Sequence, residues 1–148
     1  MAVKSSQPLG KYKLIFTSFE KSEKGIKWTK YILTKRKFSV YDNPFSNQNF
    51  REHLHTLHKF NSKHFLEKFS QLRLDTLNHL FRNSCVPFES GREFLIQFMH
   101  AGKYHEIKLQ NYYNEEVEEL VRMINQNFPR VFHITYLPPG TIQDCLTN

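Results

Sequence analysis

Four histidines, His53, His55, His58 and His64, form the densest group of candidate metal ligands in the chain. Zinc would need three such imidazoles converging at about 2.0–2.1 Å. The period around them reads as a helix capped by Ser46 or Asn47, carrying Phe50, Leu54 and Leu57 at i, i+4 and i+7. On such a helix His55 and His58 stand about 60° apart, whereas His53 and His58 stand roughly 140° apart. His64 would have to fold back across Asn61. No cysteine or carboxylate joins them at a metal-ligand spacing. The reading is therefore solvated histidines, with no metal and no cofactor expected.

A second constellation is basic and aromatic. Lys24, Lys27, Lys30, Lys35, Arg36 and Lys37 interleave with Trp28, Tyr31, Phe38 and Tyr41. Cations for phosphates and rings for bases are what a single-strand nucleic-acid binder requires. Lys30, Lys35, Arg36 and Lys37, with Trp28 and Tyr31, are thus candidate residues of a polyanion-binding strand face. The competing reading is that lysines guard an edge strand or lay their stems along apolar surface. Strand parity favours the latter, because Trp28, Lys30 and Ile32 fall on one face and Tyr31 and Leu33 on the other.

Catalytic signatures are thin. Asp occurs only at positions 42, 75 and 144, and the five glycines are scattered, so no phosphate-cradling loop is written. Ser84-Cys85 with a distant histidine is not a nucleophile signature. Glu115, Glu116, Glu118 and Glu119 read as compensation of a helix dipole plus a solvated face. An enzyme remains the third reading, since sites assemble in space.

The elements that position these residues follow from periodicity. Lys11 to Phe19 alternates as a strand. A polar loop, Glu20 to Gly25, leads to a second strand from Trp28 to Thr34. Lys35-Arg36-Lys37 interrupts it, and Phe38 and Val40 resume the alternation, which reads as one continued strand bent at the triplet. Asn61-Ser62 breaks the helix over the histidines. Phe65, Leu66, Phe69 and Leu72 suggest a second short helix, and Leu77, Leu80 and Phe81, capped by Asp75, a third.

Phe94, Ile96 and Phe98 then alternate, Ala101-Gly102 forms a tight turn, and His105, Ile107 and Leu109 return. Asn114 caps a helix whose stripe is Val117, Leu120, Val121, Ile124 and Phe128. Pro129 stops it. Phe132, Ile134 and Tyr136 read as a last strand. Tyr41-Asp42-Asn43 and Tyr112-Tyr113-Asn114 sit at matching places in the two halves, an outline of two strand-strand-helix units.

The expected fold is α+β. An antiparallel sheet of about five strands carries a long C-terminal amphipathic helix on one face, with short helices in the middle of the chain. The 148 residues form one domain, with 1–10 and 140–148 expected to be flexible.

The formal charge of +7 admits nucleic acid, an anionic surface or an acidic partner. A composition with two alanines and many Asn, Lys, Phe and Tyr accounts for part of the lysine without any ligand. No apolar run reaches the roughly 20 residues of a membrane span, and Met1-Ala2-Val3-Lys4 is not followed by an apolar signal core. Cys85 and Cys145 lack metal spacing. A reduced, cytoplasmic protein is expected, with an exported protein that pairs the two cysteines as the alternative. The function expected is a non-catalytic binding or accessory module for a protein or peptide partner, with nucleic acid as the alternative ligand.

Overall fold

The computed structural model describes residues 9–23, 25–43, 52–86, 91–143 and 145. Among them are four strands, a helix, three strands and a second helix in chain order. The strands are β1 Leu14–Ser22, β2 Gly25–Leu33, β3 Phe38–Asn43, β4 Glu52–Leu57, β5 Leu80–Arg82, β6 Gly91–His100 and β7 Lys103–Gln110. The helices are α1 Ser62–Gln71 and α2 Glu115–Asn125. One sheet in the order β4-β3-β2-β1-β6-β7-β5 holds all seven strands.

The expected architecture is corrected in three respects. The sheet has seven strands, not about five. It is mixed, because β5 runs parallel to β7 while the other pairs are antiparallel. The C-terminal helix is short, with 11 residues.

The strand register explains the core. Leu14 pairs with Leu33 and with Phe98, and Phe16 pairs with Tyr31 and with Ile96. Tyr31 in turn pairs with Val40, and Ile96 with Ile107. All of these are buried on one face. Alternation with a period of two puts every second residue there, and burial of large aliphatic and aromatic groups is what holds the sheet. Both helices pack on that face: α1 through Phe65 and Phe69, α2 through Val117, Leu120, Val121 and Ile124.

Local chemistry sets the turns. At Ala101 and Gly102 the backbone is left-handed (φ 51° and 76°), the pair of conformations a two-residue hairpin turn needs. Asn114 accepts a bond from the Val117 amide at 3.0 Å and opens α2.

Several expected elements are differently built. Lys35-Arg36-Lys37 is not a bend in one strand. It is the turn of a β2–β3 hairpin, closed by the Thr34 amide donating to the Lys37 carbonyl at 2.8 Å. The loop expected at Glu20–Gly25 shrinks because β1 and β2 stay paired to Ser22 and Gly25.

Residues 52–57 are a strand, not a helix. Their His and Thr residues have weak helix propensity, and pairing with β3 supplies the ladder. The expected caps Ser46 and Asn47, and Phe50, lie outside the described residues. Since β4 follows Tyr41-Asp42-Asn43 where a helix was expected, the two halves are not equivalent. Asn61 caps α1, accepting from the His64 amide at 3.0 Å. Leu77–Phe81 is no helix; a 3₁₀ turn at Leu74–Thr76 precedes β5.

The expected last strand is absent. Phe132 ends a 3₁₀ turn, and Ile134 bonds to the side chain of Asn125 instead of a strand, giving 2.7 Å to Oδ1 and receiving 3.0 Å from Nδ2. The alternation is real, but a side-chain amide takes the place of the neighbouring backbone.

Cys85 and Cys145 form a disulfide with Cα atoms 5.2 Å apart. Hydrogen bonds of Gln143 and Cys145 add to it. The Ser84 amide donates to the Gln143 carbonyl at 3.2 Å, and the Cys145 amide to Ser84 Oγ at 3.0 Å. No helix among the described residues is long and apolar enough to cross a membrane.

Candidate functional site

The pairs Leu14–Leu33, Leu33–Phe38 and Phe38–Leu57 lie in one row across four strands. Residues just beyond that row therefore share one end of the sheet. They include Lys13, the triplet Lys35-Arg36-Lys37, His58 and Lys59. The α1 helix begins at the same end, tied by Ser62 Oγ donating to the Lys35 carbonyl and by the Phe60 amide donating to the Arg36 carbonyl at 2.7 Å. It adds Lys63, His64 and Lys68. Among the described residues, no carboxylate lies within ion-pair distance of Lys13, Lys35, Arg36, Lys37, Lys59, Lys63 or Lys68.

The opposite end is acidic and compensated. Glu93 pairs with Lys21 at 3.7 Å, Glu20 with Arg92 at 3.9 Å, and Glu118 and Glu119 with Arg122. These carboxylates lie at the far ends of β1 and β6 and in the first half of α2. Seven cations without carboxylate partners thus gather at the first end, whereas at the opposite end Lys27 is the unpaired exception among the described residues of β1, β2 and β6 there.

Two depressions open there. One, of about 510 Å³, lies between the β4–α1 turn and the C-terminal end of α2. Leu57, Phe60, Phe65 and Met123 give it apolar walls, and His58, Lys59, His64 and Lys68 line it without any carboxylate. The other, of about 520 Å³, lies between α1 and the β2–β3 turn, with Lys13, Lys35 and Lys63 around Leu66, and Glu67 its one acid.

The candidate residues of the strand face do not converge. Tyr31 is buried on the core face; its hydroxyl donates to the Phe132 carbonyl at 2.5 Å and its ring meets Phe16 and Phe128. Burial, with the nearby Asp42 carboxylate, pushes its phenol well above the usual value. Trp28 and Lys30 sit on the other face, with Lys30 Nζ 4.9 Å from the centre of the Trp28 ring. Trp28 stands five strand positions before Leu33, so the triplet lies roughly 16 Å or more away. The triplet alone of that set belongs to the basic end.

The four histidines also separate. A bulge at Leu54 places His53 beside Tyr41 and His55 beside Val40, on opposite faces. His55 stacks on Phe132, with ring centres 5.2 Å apart. His58 and His64 meet in the first depression. Among the described residues, no three His, Cys, Asp or Glu converge as metal ligands.

Sequence reasoning missed a second histidine group at the far side of the same end. His100 Nε2 lies 3.5 Å from Asp75, which Arg73 also meets at 3.5 Å. His105 stacks on Phe98, and burial holds its pKa below the ordinary histidine value, with Asp75 opposing. Only the β6–β7 register brings His100 and His105 together, and nothing in their spacing pointed to Asp75.

Protein-family models and curated proteins yield no match to this chain. The chemistry therefore rests on the geometry. The basic end can hold anions electrostatically and can bury apolar groups in its depressions.

Proposed function

We propose that this protein is a non-catalytic binding module that recognises an acidic protein or peptide segment through the basic end of its sheet. The observation that carries the reading is the gathering of seven cations without carboxylate partners around depressions with apolar walls. An acidic peptide with interspersed apolar residues complements both features. Nucleic acid complements only the first, since Tyr31 is buried and Trp28 is remote from the triplet, leaving no stacking platform among these candidates beside the cations. The Cys85–Cys145 pair favours an oxidising compartment over the cytoplasmic one expected from sequence.

A labelled peptide of alternating Glu and Leu tests this. Exposed ion pairs contribute about 0.2–1 kcal/mol each. Lys35→Gln/Arg36→Gln/Lys37→Gln should therefore weaken binding by about tenfold. Wild-type affinity should fall by a similar factor between about 50 and about 300 mM salt. Equal affinity of wild type and variant, or tighter binding of single-stranded nucleic acid of equal charge, would contradict the proposal.

A further inference from the structure

Building on that reading, we propose that the depression between the β4–α1 turn and the end of α2 is a specific subsite for an anionic group carried beside an apolar one. His58, Lys59, His64 and Lys68 meet the anion, and Phe60, Phe65 and Met123 receive the apolar body.

Three observations converge on it. The lining holds four basic side chains and no carboxylate. From α2 and the residues just after it come only uncharged groups, Met123, Gln126 and Asn127, because the carboxylates of α2 lie in its first half. Glu67 of α1 lines the other depression. Thirdly, Lys59 has a left-handed backbone (φ 55°), a conformation that glycine adopts without penalty and a lysine does not. The turn alone favours glycine at 59, while the depression favours a cation.

Two of the four groups are histidines and two are lysines, so replacing the pairs separately divides the site into its imidazoles and its ammonium groups.

The test uses the same Glu-Leu peptide. Lys59→Gly should weaken binding about two- to fivefold, as loss of an exposed ion pair does, while its Tm stays equal or rises. Lys68→Gln should weaken it by a similar factor, and His58→Gln/His64→Gln should weaken it too. Inorganic phosphate should fail to displace the peptide. Peptide binding unchanged by Lys59→Gly and by Lys68→Gln overturns the subsite. So does displacement by phosphate as effective as by peptide. If binding is still weakened about tenfold in the Lys35, Arg36 and Lys37 triple variant, the module reading survives that failure. If wild type binds no acidic peptide, both fall.

Discussion

Phe38→Ala is expected to destabilise the protein by about 3–5 kcal/mol, the range for loss of a fully buried phenylalanine. Phe38 is wholly buried at the start of β3. Its ring meets Phe60 and Phe65 at 5.3 Å each and Phe128 at 5.0 Å. Those three come from the β4–α1 turn, from α1 and from the segment after α2. Deleting the ring therefore opens a cavity shared by three elements that cannot all close on it. The same rings back the first depression, so binding should weaken along with stability. Urea denaturation of wild type and variant measures the effect through the midpoint at unchanged slope. A loss below about 1 kcal/mol would mean that the site collapses freely and that Phe38 is not the hub under the basic end.

Reduction of the Cys85–Cys145 bond is expected to cost roughly 2–4 kcal/mol, the usual range for a cross-link that closes a long loop. The two residues are separated by 60 positions, so the unfolded chain gains much freedom when the bond is cut. The bond also holds Ile142, Gln143 and Cys145 against Asn83 and Ser84. Asn83 is buried; its Nδ2 donates to the Ile142 carbonyl at 3.1 Å and its Oδ1 accepts from the Cys85 amide at 2.8 Å. Losing the tail would leave the Asn83 amide without an acceptor. Wild type should melt at a lower denaturant concentration in reductant, and Cys85→Ser/Cys145→Ser should melt there with or without it. A wild-type midpoint indifferent to reductant would contradict the pairing's contribution.

Elements whose partners are close in sequence were legible. The β6–β7 hairpin and the cap and apolar stripe of α2 follow from alternation, Ala101-Gly102, Asn114 and the Val117 to Ile124 spacing, although the helix ends at Asn125 and not at Pro129, with Phe128 beyond it. Elements defined by distant partners were not. Leu54 and Leu57 fit a helical spacing, and only pairing with β3 makes that segment a strand. The β5 strand is three residues long and exists because β7 lies beside it. Phe132 to Tyr136 has strand alternation, yet its backbone bonds to Asn125. The triplet was legible as charge but not as a turn, and its companions Lys13, Lys59, Lys63 and Lys68 needed the strand register to be seen beside it. Trp28 and Tyr31 were grouped with it because they are near in sequence, whereas alternation puts them on opposite faces.

The most direct test of the claim that the basic end is the binding surface is to locate the bound peptide by amide chemical-shift changes in labelled protein. The predicted result is that shifts concentrate at Lys13, at 34–37, at 58–68 and at 123–127, while Trp28, Lys30 and the amides of 115–119 stay in place. Shifts centred on Trp28 and Lys30, or on the acidic start of α2, with residues 34–37 and 58–68 unmoved, would contradict it.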